Sequence, residues 1–211
     1  MPCTADRSLL FIHIPKTGGT SIEQALGLFG PWQEENQRLL FGLIQSPELL
    51  AHGWGSDFLQ HLSWREIQQQ WEFRGALRFA VVRNPWARFA SVFTNTDTNL
   101  KQVASQQGIN LEGLGFEAFV EATEVLEHAH LRPQLSYIGD GAGALAVDAL
   151  LHTEHLNQEF AAFAAAHGLV AELPWLNRSA EPGAYKRLYT PASWRRIGER
   201  YGQDVASLGY G

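Results

Sequence analysis

A short polar run near the amino terminus has the residue types that bind phosphate. Its members are Lys16, Thr17, Gly18, Gly19, Thr20 and Ser21. Glycines let backbone amides approach an anion, the lysine supplies a full positive charge, and the hydroxyl groups add donors. The nucleotide-kinase P-loop, G-x-x-x-x-G-K-[ST], has its lysine after the second glycine, whereas Lys16 precedes both glycines. The run therefore predicts a phosphate-binding loop that is related to the P-loop but distinct from it.

A second polar turn carries a separate candidate anion site. Arg83 follows an apolar run, and Arg88 and Ser91 lie farther along a predicted helix. At about 100° per residue, Arg88 and Ser91 fall about 60° apart, on the face away from Trp86 and Phe93. A guanidinium and a hydroxyl at this spacing are candidates for clamping a second phosphate. The alternative is an ordinary solvated helix face.

Apolar runs precede both polar turns and predict buried strands. These runs cover residues 9–14 and 78–82, and a third run covers residues 145–151. Continuous apolar runs rich in β-branched and aromatic residues are typical of strands buried on both faces of a parallel sheet. Helical periodicity follows each turn, and we interpret Thr20 with Glu23 as a capping box. Repeated strand-turn-helix units indicate an α/β fold with a central parallel sheet flanked by helices.

The other segments are predicted from periodicity and from their prolines. Residues 33–71 are expected to form a substrate-facing insertion. The chain beyond Asn95 is predicted as a loop until a helix over residues 116–130. Residues 173–190 lack periodicity, which predicts a loop before a last helix over residues 191–208.

Composition excludes several classes of protein. The chain has 16 Lys and Arg against 22 Asp and Glu, a formal net charge of −6, which disfavours sequence-independent binding of nucleic acid. A length of 211 residues with 45% hydrophobic residues predicts a single domain, 1–211. The single cysteine, Cys3, excludes an internal disulfide and a cysteine-based zinc site. No apolar run approaches roughly 18 residues and no signal peptide is recognised, so we expect a cytoplasmic protein without integral membrane association.

Both polar turns resemble motifs of the sulfotransferases that use 3′-phosphoadenosine 5′-phosphosulfate (PAPS). Residues 11–22, Phe-Ile-His-Ile-Pro-Lys-Thr-Gly-Gly-Thr-Ser-Ile, are similar to the 5′-phosphosulfate loop. Residues 79–91, Phe-Ala-Val-Val-Arg-Asn-Pro-Trp-Ala-Arg-Phe-Ala-Ser, are similar to the 3′-phosphate motif. The chain resembles the branch that contains carbohydrate sulfotransferases of the heparan and chondroitin kind and their short bacterial relatives. Weaker matches downstream extend the resemblance over nearly the whole chain, which implies the P-loop-like sulfotransferase fold.

The resemblance implies a role for each turn. Lys16, with the amides and hydroxyls of residues 17–21, would hold the 5′-phosphosulfate, and Arg83 with Ser91 would hold the 3′-phosphate. PAPS would be the co-substrate, 3′-phosphoadenosine 5′-phosphate (PAP) the product, and no metal would be required. Further candidates for closing over the nucleotide, or else members of a solvated basic loop, are Arg178, Lys186 and Arg187.

Sulfuryl transfer to an alcohol needs a base, and histidine is the natural candidate because its ordinary pKa is about 6.5. Residues 61–67, His-Leu-Ser-Trp-Arg-Glu-Ile, match a His-x-Ser-x-x-Glu-Ile pattern of the resembling family. His61 is therefore the first choice, and His52, in a glycine-rich loop, is the alternative. His13 lies in a predicted buried strand, and we interpret it as structural. Candidates for a base or an orienting partner among the carboxylates are Glu23, Asp57 and Glu66.

The predicted function is in-line transfer of a sulfuryl group from PAPS to a hydroxyl of a carbohydrate, lipid or small-molecule acceptor. Trp54, Trp64 and Trp71 are candidates for stacking on a sugar or for walling an apolar pocket. We expect no membrane anchor, which departs from the anchored Golgi members and favours a small molecule, a glycan precursor or a lipid. The alternatives are a P-loop nucleotide kinase or hydrolase, and a non-catalytic nucleotide-binding module.

Overall fold

The structure of the protein is a computed structural model that describes most of the chain. The described residues are 2–4, 6–28, 59–69, 72–170, 172–174 and 183–210. They belong to two compact units, Met1–Val82 with Gln134–Asn177 and Arg83–Pro133 with Arg178–Gly211. Most of the predicted insertion 33–71 lies outside the described residues. So do His52, Trp54, Asp57, Trp71 and Arg178.

Three parallel strands form the sheet of the first unit, in the order β1-β2-β3. β1 is Leu9–Ile12, β2 is Leu77–Val82 and β3 is Ala149–His152. Phe79 in the central strand pairs with Phe11 on one side and with Ala149 on the other. All of β1 and the last four residues of β2 are buried, as their apolar composition predicts. The α/β class and the parallel sheet are therefore confirmed.

Regular helices and short 3₁₀ turns connect these strands and build the second unit. The helices are α1 Gly19–Ala25, α2 Trp64–Gln68, α3 Pro85–Thr94, α4 Thr98–Gln106, α5 Phe116–Ala122, α6 Leu135–Ile138, α7 Leu156–Ala166, α8 Pro191–Arg200 and α9 Gly202–Ser207. The 3₁₀ turns are Leu59–His61, Ala129–Leu131, Thr153–His155 and Ala184–Leu188.

Apolar side chains from α1 and α7 pack against the sheet in the first unit. Ile22 of α1 and Phe160 and Phe163 of α7 form one buried cluster with side chains of all three strands. The centroids of the Phe79 and Phe163 rings are 4.6 Å apart. Burial of this apolar surface stabilises the helices against the strands that they follow. These two helices therefore hold the loops at the carboxyl ends of β1 and β3.

The third strand starts later than its apolar run predicts. Leu145 is 43% exposed and forms an isolated antiparallel bridge with Gly139. The amide of Ala146 donates to the carbonyl oxygen of Ile138 at 2.7 Å. Because residues 145 and 146 bond to the end of α6, the parallel pairing with β2 begins only at Ala149. The predicted boundary at residue 145 is wrong for this reason.

The second unit contains a helix where the sequence predicted a loop. α4 begins after Asp97, whose side chain accepts from the amide of Leu100 at 2.8 Å. Leu100 and Ala104 are fully buried in the core of this unit, while most of the other α4 side chains are partly or fully exposed. Such a narrow apolar stripe is enough to anchor a helix once a capping residue starts it. The predicted helix 116–130 ends at Ala122, and the predicted helix 191–208 is interrupted at Tyr201.

Candidate active site

The loop between β1 and α1, hereafter the Lys16 loop, turns sharply at two residues. The backbone φ angle is +68° at Lys16 and +90° at Gly18, which is the N-cap of α1. A positive φ is costly for a residue with a Cβ, so its occurrence at a lysine marks a constrained turn. Because α1 already begins at Gly19, Thr20 lies within its first turn. The capping box predicted for Thr20 and Glu23 is therefore wrong, and no described side chain caps this helix end.

Gly19 lies directly against the side chain of His13. A Cβ added at Gly19 would overlap the imidazole ring of His13. Any residue can adopt the helical φ of Gly19, so the backbone does not require glycine there. Among the described residues, it is the His13 ring that leaves no room for a side chain at position 19. His13 follows β1 directly, rather than lying in the strand as its apolar run predicted. The Lys16 loop is thus packed against the first side chain that follows the strand.

Thr17 fastens the Lys16 loop to the rest of the first unit. Its buried hydroxyl donates to the carbonyl oxygen of Ile14 at 2.8 Å, so this hydroxyl has no proton left for a phosphate. The carbonyl oxygen of Thr17 accepts from the Thr153 hydroxyl at 2.7 Å. The sequence prediction missed Thr153, the first residue after β3, although a polar residue at that position is a recognisable signal in a parallel sheet.

Four side chains, His13, Glu23, Gln60 and His61, form a polar group beside the loop, hereafter the Glu23 cluster. Glu23 is fully buried, and its Oε1 lies 2.5 Å from Nδ1 of His13. The side-chain amide of Gln60 donates to the same carboxylate, with Nε2 at 2.9 Å from Oε1 and 2.7 Å from Oε2. Buried carboxylates require such partners, because desolvation of the charge is otherwise very costly. Glu23 therefore belongs to the core, as an acceptor for two neighbouring side chains.

His61 is held by the backbone of His13. Its Nδ1 lies 3.2 Å from the carbonyl oxygen of His13, and the two rings meet edge to face with centroids 4.7 Å apart. A carbonyl oxygen only accepts, so Nδ1 of His61 carries a proton in this contact. In the neutral ring the lone pair then resides on Nε2. This tautomer gives His61 a basic nitrogen on the side of the ring away from the His13 carbonyl.

The other candidate carboxylate of this region has a structural contact. Glu66 lies in the first turn of α2, and one of its oxygens accepts from both the amide and the hydroxyl of Ser63 at 2.6 Å. The Ser63 hydroxyl in turn accepts from the amide of Glu66 at 3.3 Å. These contacts form a reciprocal capping box, which satisfies amides at the start of α2. Within the motif that suggested His61, Ser63 and Glu66 thus start the helix that follows the histidine.

The second unit contains the remaining predicted phosphate ligands that the structure describes. Arg83 is the first residue of this unit and is partly buried, and Ser91 is partly buried in α3. Lys186 and Arg187 are exposed on the 3₁₀ turn Ala184–Leu188. The Lys16 loop and His61 belong to the first unit. The structure therefore places His61 in the same unit as the Lys16 loop. It places the predicted 3′-phosphate ligands in the other unit.

Arg88 does not lie on a solvated helix face. It is 2% exposed, and its guanidinium donates to the carbonyl oxygens of Arg132 at 2.9 Å and His130 at 3.2 Å. These carbonyls belong to the turn at Ala129–Leu131 and to the residue after it. The alternative of a solvated helix face is therefore wrong for Arg88, and two of its N–H groups stabilise the second unit. Ser91 remains a candidate on the same helix.

The described residues contain neither a cluster of metal-ligating side chains nor a helix that could span a membrane. There, no group of three or more His, Cys, Asp and Glu side chains is arranged to hold a metal ion. Within the same part of the chain, no helix has the length and apolar character that crossing a membrane requires.

The sequence model of the sulfotransferase family matches residues 3–211. The chain belongs to the sulfotransferase family. Searches of curated proteins and of solved structures find no match. As a member of this family it is a transferase that moves a sulfuryl group from a sulfate donor to an acceptor substrate. Membership agrees with the family resemblance of residues 11–22 and 79–91 and with the α/β fold.

Proposed function

We propose that this sulfotransferase takes its sulfuryl group from PAPS and transfers it to a hydroxyl group of a carbohydrate, lipid or small-molecule acceptor. The observation that carries the proposal is the Lys16 loop. It follows a buried parallel strand, turns through two positive φ angles and leads directly into a helix. Loops of this kind present backbone amides and a lysine to phosphate groups. The resemblance of residues 11–22 to the 5′-phosphosulfate loop supports the assignment to PAPS.

Each end of the donor has its own proposed ligands. Lys16, the loop amides and the hydroxyls of Thr20 and Ser21 bind the 5′-phosphosulfate, and Lys16 stabilises the negative charge that grows on the leaving phosphate. On the resemblance, Arg83 and Ser91 bind the 3′-phosphate. The same resemblance makes residues 1–211 one sulfotransferase domain that includes both units. The residues proposed to close over the nucleotide are Arg178, Lys186 and Arg187.

The proposed chemistry is a single in-line displacement. The acceptor oxygen attacks sulfur and forms a new S–O bond while His61 Nε2 takes the hydroxyl proton. The S–O bond to the 5′-phosphate breaks, and its electron pair leaves with the oxygen of PAP. The Nδ1 proton that faces the His13 carbonyl supports His61 in this role, because it leaves the ring lone pair on Nε2. No metal takes part in this proposal.

The charge of the chain and the contacts of its tryptophans bear on the acceptor class. A formal net charge of −6 disfavours a highly sulfated or otherwise polyanionic acceptor. Among the tryptophans suggested for stacking, Trp64 lies under the Arg78 guanidinium, whose Cζ is 5.0 Å from the ring centroid. Its ring is therefore engaged in a cation–π contact. We propose an acceptor with one accessible hydroxyl and little negative charge.

Calorimetry with PAP, AMP and ATP tests the donor assignment. We expect PAP to bind at least about tenfold more tightly than either nucleotide, because a second phosphate adds charge-assisted hydrogen bonds. Transfer of labelled sulfate from PAPS to a panel of hydroxyl acceptors tests the activity. An equal affinity for the three nucleotides would contradict the proposal. Magnesium-dependent turnover of ATP would favour the kinase or hydrolase alternative, and PAP binding without any transfer would favour a non-catalytic module.

Two variants test the catalytic roles. Lys16→Ala should abolish transfer, and Lys101→Ala, at an exposed position of α4, is its control. His61→Ala should lower kcat by about 10²- to 10⁴-fold, the range for loss of a general base, with little change in PAP affinity. His167→Ala, at an exposed histidine after α7, is the matched control. Full activity of His61→Ala would transfer the role of base to His52.

A further inference from the structure

Glu23 connects two parts of the first unit that both contact His61. Glu23 Oε1 lies 2.5 Å from Nδ1 of His13, the residue directly after β1, and so holds the His13 ring. Glu23 Oε2 accepts from Nε2 of Gln60 at 2.7 Å, and Gln60 directly precedes His61. The carboxylate itself is fixed in the core, because Glu23 is fully buried in α1. One buried acceptor therefore reaches both neighbours of the candidate base.

We propose that Glu23 and Gln60 are positioning residues that hold His61 in the orientation and tautomer needed to accept the proton of the acceptor hydroxyl. The inference rests on the proposed function, since it takes His61 as the base of sulfuryl transfer. Neither residue is required to touch donor or acceptor. Their effect on the reaction passes through the ring of His61.

The turn carrying His61 is too short to fix a side chain by itself. The 3₁₀ turn Leu59–His61 has 3 residues. Such turns have poorer hydrogen-bond geometry than α-helices and depend on outside contacts. Two such contacts are the bond from Gln60 to the Glu23 carboxylate and the bond from His61 to the His13 carbonyl. Loss of the Gln60 bond leaves the turn with a weaker anchor.

The contact between His61 Nδ1 and the His13 carbonyl favours the tautomer with the proton on Nδ1. The distance from His61 Nδ1 to the His13 carbonyl is 3.2 Å, near the long end for an N–H···O bond, so small movements of either side weaken it. Glu23 limits movement of both sides, through the ring of His13 and through Gln60. If the contact opens, the His13 carbonyl no longer favours the proton on Nδ1. Only the form with the proton on Nδ1 leaves Nε2 basic.

Replacement of the Gln60 amide tests the proposal by kinetics. Gln60→Met keeps the length of the side chain and removes the donor to Glu23. We expect kcat for sulfuryl transfer to fall about tenfold or more, while KM for PAPS and Kd for PAP stay within about twofold, because only a transition-state interaction is affected. Gln68→Met, at an exposed position of α2, is the matched control and should keep the wild-type kcat. Circular dichroism checks that both variants fold.

A swapped pair tests whether the two residues act together. Gln60→Glu alone places two carboxylates against each other and should lower kcat further than Gln60→Met. Adding Glu23→Gln restores a hydrogen bond between positions 23 and 60 with the donor and acceptor exchanged. We expect the double variant to regain at least about tenfold of the loss, the non-additivity that coupled neighbours show. Additive losses in the double variant would contradict the coupling.

A spectroscopic readout does not depend on turnover. Long-range ¹H–¹⁵N correlation spectra of the histidine rings, recorded without nucleotide, show which nitrogen carries the proton. We expect His61 as the Nδ1–H tautomer in the wild type and a mixture of both tautomers in Gln60→Met. A wild-type His61 protonated on Nε2, or a Gln60→Met variant with unchanged tautomer and kcat, overturns the inference alone. A wild type that neither binds PAP nor transfers sulfate overturns the proposed function, and the positioning role with it.

Discussion

The Thr153 hydroxyl donates to the carbonyl oxygen of Thr17 at 2.7 Å across 136 residues of chain. The same hydroxyl lies 3.0 Å from the carbonyl oxygen of Val82, the last residue of β2. Because a hydroxyl has one proton, the two carbonyls share it. Thr17 follows β1 and Thr153 follows β3, so one side chain joins the carboxyl ends of all three strands. The Lys16 loop is thereby tied to the sheet that presents it.

Removal of the Thr153 hydroxyl should loosen the Lys16 loop. In Thr153→Val the carbonyls of Thr17 and Val82 lose their donor, and we expect the free energy of unfolding to fall by about 1–3 kcal/mol. PAP affinity should fall about three- to tenfold, because part of the binding energy is then used to order the loop. Thr153→Ser keeps the hydroxyl and is the control for both measurements, by calorimetry and urea unfolding. Equal PAP affinities of the two variants would show that the bond does not support the binding loop.

Alanine at Gly19 should be more harmful than alanine at a glycine with open space. Gly19→Ala pushes a methyl group into the His13 ring and displaces it from Glu23, so we expect the free energy of unfolding to fall by about 3 kcal/mol or more. Gly27→Ala is the comparison, because Gly27 has a φ of +67° with no atom within 4 Å of the added Cβ. For Gly27→Ala the free energy of unfolding should fall by about 1–2 kcal/mol, the cost of a left-handed backbone conformation at a residue with a side chain. Urea unfolding measures both, and equal losses would contradict a steric role for His13.

The sequence predicted the parts of the fold in which local composition alone determines structure. β1 and β2 are buried on both faces, so nearly every residue in them is apolar and the pattern is unambiguous. The Lys16 loop was predicted because a lysine, two glycines and hydroxyl residues occur together directly after such a strand. The α4 helix was missed because only a narrow apolar stripe, Leu100 and Ala104 at its centre, is fully buried. Its remaining residues have the polar composition of a loop.

The contacts of single side chains depend on parts of the chain that are distant in sequence. Helical spacing correctly places Arg88 and Ser91 near each other around α3, yet it carries no information about the carbonyls of residues 130 and 132 that surround Arg88. The sequence makes Glu23 a candidate for a base or an orienting partner. Its contact with Gln60 spans 37 residues, and no local pattern predicts such a contact. The positioning role proposed for Glu23 could therefore be argued only from the structure.

The ion pair between Arg78 and Asp148 should make a pH-dependent contribution to stability. The Arg78 guanidinium donates from Nε at 3.2 Å and from Nη2 at 3.1 Å, and hydrogen bonds from this side chain are the main cause that lowers the pKa of Asp148. A carboxyl with a lowered folded-state pKa stabilises the fold above its unfolded pKa, about 3.9, and this contribution is lost as the pH falls through the folded-state value. The Asp148 side chain is 40% exposed, so solvent screens the pair.

For Asp148→Asn we therefore expect a loss of about 0.5–1 kcal/mol in the free energy of unfolding at pH 7. The difference from the wild type should shrink as the pH falls below about 4. Urea unfolding at pH 7, 5 and 3 measures it. Glu72→Gln, which removes one member of a pair with Arg74 whose side chains are 79% and 88% exposed, is the control and should change stability little at any of these pH values. A difference that grows on acidification would rule out the pair as its source.

Arg88 should support the second unit without binding the nucleotide. Arg88→Met removes the donors to the carbonyls of His130 and Arg132, and we expect the free energy of unfolding to fall by about 2 kcal/mol, the cost of leaving buried acceptors without partners. Arg88→Lys keeps the charge and can still reach one carbonyl, so it should lower the free energy of unfolding by less than Arg88→Met does.

PAP affinity separates this structural role from phosphate binding. Measured by calorimetry at a temperature at which each variant is folded, Kd should stay within about twofold of the wild type for Arg88→Met, because its guanidinium already donates to backbone carbonyls. Arg83→Ala should weaken binding about tenfold or more, since a charge-assisted hydrogen bond to phosphate is worth about 1.5–3 kcal/mol. Weaker PAP binding by Arg88→Met at unchanged stability would instead assign the 3′-phosphate to Arg88.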